Sequence, residues 1–254
     1  MNTFAFKLVL TPTLIGAVSL AGRRWGPAVG GWLVGLPLTS APLVFFLTLE
    51  RGLTFAAATA IGILAGAVSS AVFCLIYSHL AYLWQWPSTV FVGWLAFAAL
   101  TWLLQPVALP AVPLFLGVSG LLAVVLYLMP RSTEIGESVA APWWDIPARM
   151  AAATGIVLLL TTLAPALGPH LSGLLAPFPL FATILGVFTH ALHGPASAAR
   201  LMRGVVLGMF AFAAFFLVVA VLIARAGLGA TFALAILAAL GVQAVTLRLL
   251  NRTR

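Results

Sequence analysis

The chain repeats its own pattern of glycines and prolines at a spacing of 142 residues, without a gap. The recurring pairs are Gly26 and Gly168, Pro27 and Pro169, Gly31 and Gly173, Pro37 and Pro179, Gly52 and Gly194, Gly62 and Gly204, and Gly66 and Gly208. Glycine and proline impose backbone conformations that few other residues adopt. Their recurrence in register therefore indicates two copies of one structural unit within a single chain.

The composition predicts that these two units lie in a membrane. Hydrophobic residues make up 63% of the 254 residues, and charged residues make up only 6%. A soluble domain cannot bury so much apolar surface, and the apolar runs reach the length of about 20 residues that a membrane-spanning helix needs. We therefore predict the all-α class, as a polytopic transmembrane helix bundle surrounded by the lipid bilayer.

About nine transmembrane helices are predicted from the apolar runs. They cover residues 6–22, 27–49, 55–82, 88–105, 113–130, 149–167, 171–192, 203–225 and 229–249. Residues 1–105 form transmembrane repeat 1, residues 106–148 form a linker helix and a polar loop, and residues 149–254 form transmembrane repeat 2. Because one extra helix lies between them, the two four-helix repeats are predicted to have inverted topology.

The basic residues predict the orientation of the chain. One face of the predicted bundle carries Arg23, Arg24, Arg131, Arg149, Arg200, Arg203, Arg248, Arg252 and Arg254, and the other carries Lys7, Arg51 and Arg225. Since basic residues concentrate in cytoplasmic loops, the N-terminus is predicted outside and the C-terminus in the cytoplasm. These residues stand singly or in pairs between apolar runs, as loop anchors do, so no nucleic-acid partner is predicted.

The second helix of each repeat carries proline near the middle of its span. Pro37 is followed by Thr39 and Ser40, and Pro179 is followed by Thr183. A proline inside a helix breaks its hydrogen bonding, and at bilayer depth such breaks occur where protein or a wet cavity supplies partners. Paired broken helices predict a substrate-binding site at the midplane. Alternatively, these are kinked packing helices whose hydroxyls bond to their own backbone.

Few ionisable residues are available to couple ions to transport. Glu50 stands at the end of the second predicted helix, and His190 and His193 stand at the equivalent end of the seventh. Embedded ionisable groups are costly and often functional, although residues at a membrane boundary also act as interfacial anchors. No third ligand accompanies the histidine pair, so no metal site is predicted. No cofactor motif or cluster of catalytic residues occurs, so the chain is not predicted to be an enzyme.

Small residues four positions apart predict close contacts between helices. Gly62 and Gly66 stand in the third predicted helix, and Gly204 and Gly208 stand at the equivalent positions of the eighth. Glycines at this spacing allow two helix backbones to approach closely. We predict that both helices pack near the pseudo-twofold axis between the repeats.

The second repeat also resembles a known family. Residues 171–183 read Leu-Ser-Gly-Leu-Leu-Ala-Pro-Phe-Pro-Leu-Phe-Ala-Thr, and a histidine-containing helix end and Gly194 follow. This stretch is similar to the GlpM family of small bacterial inner-membrane proteins, whose members are about as long as one repeat. The resemblance implies a fused tandem duplication and a location in the bacterial cell inner membrane. Leu180 stands where the family has threonine, and repeat 1 keeps only Pro37 of the pattern.

Two functional hypotheses follow from this architecture. The first is a secondary transporter in which the repeats rock to give alternating access to a midplane site. The scarcity of charge favours a small neutral, zwitterionic or lipid-like substrate. The second is a membrane scaffold that transports nothing, such as an accessory subunit of an envelope or lipid pathway. Because one chain already contains both units, we predict a monomer or a homodimer.

Overall fold

The computed structural model describes residues 3–106, 109–131, 142–159 and 178–252, and the statements on structure below concern these residues. The helices are α1 (Thr3–Trp25), α2 (Pro27–Val34), α3 (Ser40–Arg51), α4 (Leu53–Leu80), α5 (Trp86–Leu104), α6 (Ala111–Leu128), α7 (described over 145–159) and α8 (Leu180–Arg252). The described residues contain no β-strand, which confirms the predicted all-α class.

Four of the described helices, α4, α5, α6 and α8, are long and apolar enough to cross a membrane. Their outer surfaces carry large exposed apolar side chains, among them Phe91 and Leu95 on α5, Leu116 on α6 and Leu237 on α8. Contiguous apolar surface of this kind is rare on soluble proteins and normal where lipid covers a helix. Helices of this length and composition are those of an integral membrane protein.

The prediction of about nine helices is wrong, because the described residues form eight. The predicted helix 27–49 divides into α2 and α3, since Pro37 interrupts its hydrogen bonding. The last three predicted helices form the single run α8, which bends at Gly194 (φ +77°) and Gly227 (φ +75°). A glycine at positive φ turns the chain within one residue, so no loop separates the segments.

We name the three segments of α8 by these bends: α8a (180–193), α8b (195–226) and α8c (228–252). Some predictions lie outside the described residues. They include the polar loop over 132–141, the end of the predicted helix 149–167 and the first turns of the predicted helix 171–192.

The centre of the bundle is formed by α4 and α8, whose facing sides bury the large side chains Phe73, Tyr77, Phe215 and Phe216. The linker helix α6 packs against both of them. Arg203 on α8b donates a hydrogen bond from Nη1 to the carbonyl oxygen of Leu126, in the last turn of α6, at 2.7 Å. A cation is favourable there because helix carbonyls concentrate negative partial charge at the C-terminus.

The backbones of α2 and α8b come into direct contact where the two helices cross. A Cβ atom built on Gly31 would overlap the carbonyl oxygen of Leu201, and one built on Gly204 would overlap that of Ala28. Glycines therefore occur on both partners at a spacing of four: Gly31 on α2 with Gly35 directly after it, and Gly204 with Gly208 on α8b. The contact brings the two backbones together, as small residues allow in membranes.

The glycines predicted on α4 are placed differently. Gly66 is buried, whereas Gly62 is exposed, and a Cβ atom built on Gly62 would meet no described atom within 4 Å. Among the four predicted packing glycines, Gly204 and Gly208 therefore carry the observed close crossing. The partner glycines on α2 were not singled out from the sequence, although Gly31 belongs to the repeated pattern.

Replacing Gly204 with alanine is expected to lower the free energy of unfolding by about 2 kcal/mol, because the methyl group must displace the α2 backbone. The matched control is Gly62→Ala, at the equivalent position of repeat 1. That change is expected to cost nothing, since alanine is the better helix former and space is open around it. Equilibrium unfolding in detergent micelles measures both, and equal losses would contradict the assigned crossing.

Candidate functional site

The predicted site begins at Pro37, where the chain leaves α2 and enters α3. The amide of Leu38 donates to the carbonyl oxygen of Leu36 at 2.8 Å, which closes a γ-turn around the proline. The amide of Ala41 then donates to the carbonyl oxygen of Pro37 at 2.9 Å and starts α3. Proline suits the centre of an inverse γ-turn because its ring already fixes φ near the required value.

The same bonds surround Pro179. The amide of Leu180 donates to the carbonyl oxygen of Phe178 at 2.8 Å, and the amide of Thr183 donates to that of Pro179 at 2.8 Å. Every donor and acceptor in this pattern lies 142 residues after its counterpart at Pro37. The two prolines therefore stand in the same local backbone geometry, each directly before a helix.

The glycine that ends the next helical segment is also shared. Gly52 follows α3 with φ +88° and ψ +173°, and Gly194 follows α8a with φ +77° and ψ +177°. These two residues are likewise 142 positions apart. A backbone at positive φ and extended ψ strongly favours glycine, which accounts for its presence at both positions.

Side chains of α8c satisfy the end of α2 before the Pro37 break. Gln243 donates from Nε2 to the carbonyl oxygen of Trp32 at 3.1 Å, and the Trp32 indole donates from Nε1 to Thr246 Oγ1 at 3.0 Å. Trp32 lies in the last turn of α2, where carbonyl groups lack partners within the helix. Gln243 thus supplies a bond that the broken helix cannot.

The residues around Pro179 contact α5 instead. Trp94 donates from Nε1 to Thr183 Oγ1 at 3.2 Å, and its ring lies 5.6 Å from that of Phe178, between ring centroids. Phe97 adds an edge contact to Phe178 at 5.8 Å. Thr183 is only 3% exposed, so its hydroxyl is held in a dry contact. The sequence did not single out Trp94, since only tertiary packing joins it to the break.

The predicted substrate-binding residues differ in how much of each is exposed. Pro37 and Pro179 are buried, Ser40 is half-buried and Thr39 is exposed. Two surface grooves with described walls lie elsewhere: one between α4, α5 and α6, lined by residues that include His79 and Val92, and one at the end of α5. Neither groove includes a predicted substrate-binding residue.

The three candidate coupling residues have different surroundings. Glu50 is exposed at the end of α3, and no ion pair involving it is found among the described residues. His190 lies with Nδ1 3.4 Å from the hydroxyl of the fully buried Tyr77. His193 is half-buried one turn further along α8a. In the described ranges, no three His, Cys, Asp or Glu side chains come together as metal ligands would.

A buried charge cluster was missed by the sequence analysis. Asp145 is 1% exposed and accepts hydrogen bonds from Arg23 Nη2 at 3.0 Å and from Arg149 Nε at 2.7 Å. The Arg149 guanidinium also lies over the ring of Phe188 on α8a, 5.4 Å from its centroid. The spacing of Asp145 and Arg149, one helical turn apart, was the available sequence signal.

Comparisons with protein-family models, with curated proteins and with solved structures find no match. The resemblance to the GlpM family stays a prediction.

The Trp94–Thr183 bond is expected to appear as a coupling energy of about 1 kcal/mol in a double-mutant cycle of Trp94→Phe and Thr183→Val. Trp94→Phe leaves the buried Thr183 hydroxyl without this donor, and Thr183→Val leaves the Trp94 indole N–H without its acceptor. The double change removes both polar groups. Chemical unfolding in micelles provides the measurement. Trp102→Phe on the exposed face of α5 is the control and should be neutral. Strict additivity would contradict the bond.

Proposed function

We propose that this protein is a secondary transporter that works by alternating access, with its substrate site at the two proline breaks. The observation that carries this proposal is the identical γ-turn at Pro37 and at Pro179. Paired interruptions at corresponding positions of two repeats are characteristic of transporter sites, where unwound backbone and helix ends contact the cargo.

The proposed inverted repeats receive support from the contacts of basic residues. Arg23 meets Arg149 through Asp145, and Arg203 reaches the last turn of α6, which precedes Arg131. Basic residues from both repeats therefore gather at one end of the bundle, as the inverted arrangement requires. By the positive-inside rule this end is cytoplasmic, which gives an N-terminus outside and a C-terminus inside a bacterial inner membrane.

The proposed substrate is small and neutral, zwitterionic or lipid-like. The predicted binding residues Thr39, Ser40 and Thr183 offer hydroxyl groups and no charge. Coupling would use Glu50, His190 or His193, of which His190 has the most enclosed partner in the Tyr77 hydroxyl.

One observation favours the alternative of a membrane scaffold or accessory subunit of an envelope or lipid pathway. Thr183 is buried and already bonded to Trp94, as expected if the second break is packed dry. In that case the prolines shape helices for packing, and no cavity is needed.

Cysteine accessibility separates these two functions. In a Cys74→Ala background, which removes the only cysteine of the chain, Thr39→Cys and Thr183→Cys are treated with a membrane-impermeant thiol reagent. Transport predicts that both react, because a wet path reaches the midplane from one side or the other. Leu116→Cys on the lipid face of α6 is the protected control. Reactivity no greater than that of the control would favour the scaffold.

The inverted topology has its own test. Single cysteines replacing Arg24 and Arg200 are both expected to react from the cytoplasmic side in oriented vesicles, because α6 reverses the second repeat. Reaction from opposite sides would contradict the inverted arrangement. A cysteine replacing Arg51 is the control and should react from the outer side.

A further inference from the structure

The charge cluster around Asp145 joins the two repeats at their basic end. Arg23 is in the last turn of α1, in repeat 1, whereas Asp145 begins α7, the helix that continues into the predicted repeat 2 from residue 149. Arg23 also donates from Nη2 to the carbonyl oxygen of Pro142 at 3.1 Å. Among the described residues, the Arg23–Asp145 pair is the ion pair that connects the repeats.

The two bonds to Asp145 differ in what happens when the repeats move apart. Arg149 stands one turn after Asp145 on the same helix, so these two residues move together and their 2.7 Å bond is retained. Arg23 belongs to the other repeat, and its side chain is 35% exposed, whereas that of Asp145 is 1% exposed. Separation therefore releases a guanidinium that already reaches solvent and leaves the buried carboxylate paired.

This arrangement makes the contact between repeats breakable. The main cost of rupturing a buried ion pair comes from the charge that is left buried without a partner. Here Arg149 continues to balance Asp145 after Arg23 has left. A second contact between α1 and α7 is also adaptable, because Gly16 faces the Met150 thioether, a flexible side chain that repacks easily.

The cluster is connected to both proline breaks through short helical segments. Arg23 is followed by Gly26 at φ +95° and by α2, which ends before Pro37. Arg149 lies over Phe188 on α8a, the segment that begins directly after Pro179. Movement of α1 relative to α7 is therefore transmitted to the helix that enters one break and to the helix that leaves the other.

We propose that the Arg23–Asp145 pair is a latch that holds the basic ends of the two repeats together in one state of the transport cycle. Release of Arg23 opens the basic end toward the midplane, while Arg149 keeps the Asp145 carboxylate neutralised throughout. The inference rests on the proposed function, since a scaffold has no cycle for a latch to control.

The test uses the full chain, Cys74→Ala, with spin labels on cysteines replacing Leu20 and Trp143, which are 59% and 86% exposed. Arg23→Gln removes the latch and keeps the Arg149–Asp145 pair, so folding is preserved. Pulsed electron paramagnetic resonance is expected to show a longer-distance population increased on the order of tenfold, the usual effect of losing a charged hydrogen bond. Arg23→Lys keeps the charge and should resemble the native chain.

Arg24→Gln is the matched control, because it removes an adjacent, exposed positive charge. Equal distance distributions in native, Arg23→Gln and Arg24→Gln proteins would overturn the latch and leave the proposed function standing. Labelling of Thr39→Cys from the cytoplasmic side tests whether the latch controls access to the proposed substrate site. Faster labelling in Arg23→Gln alone supports the latch, whereas longer distances with a midplane protected in every variant would overturn the latch together with transport.

Discussion

A backbone amide or carbonyl group inside a bilayer has no water to bond, so every interruption of a helix depends on its neighbours. This constraint organises the chain around Pro37. The broken end of α2 is satisfied by Gln243 of α8c, which requires α2 to lie close to α8. The glycines on both sides of the α2–α8b crossing make that approach sterically possible. The hydrogen bond at the interrupted end of α2 therefore depends on the close helix crossing that the glycines allow.

The sequence predicts those features that the backbone itself dictates. Pro37 interrupts a helix because its ring removes a backbone donor, and Gly204 with Gly208 permits a close approach of another helix. Contacts between residues that are distant in the sequence are not predicted in this way. Trp94 meets Thr183 only because α5 packs beside α8a, and nothing in the local sequence of α5 indicates this. The helix count failed for a related reason, because a single glycine replaces a loop at Gly194 and at Gly227.

Burial of charge was the least predictable property. Asp145 belongs to the stretch that is predicted as a polar loop, directly after two tryptophans. Arg23, from a distant part of the chain, and Arg149, one turn further along the same helix, bind its two carboxylate oxygens. Hydropathy along the sequence does not report which charges neutralise each other, and the pairing of Asp145 with Arg23 is visible only in the structure.

The side-chain hydrogen bonds near Pro37 and near Pro179 differ, although the backbone γ-turns at the two prolines are the same. The position equivalent to Thr183 is occupied by Ala41, and the position equivalent to Trp94 is occupied by Ile236. A chain that was only one half long and paired with itself would carry the tryptophan–threonine bond at both breaks or at neither. Because both segments belong to one chain, the side chains around each proline can differ. The backbone around the two prolines then keeps the same hydrogen bonds, while the side chains that contact it make their surroundings chemically different.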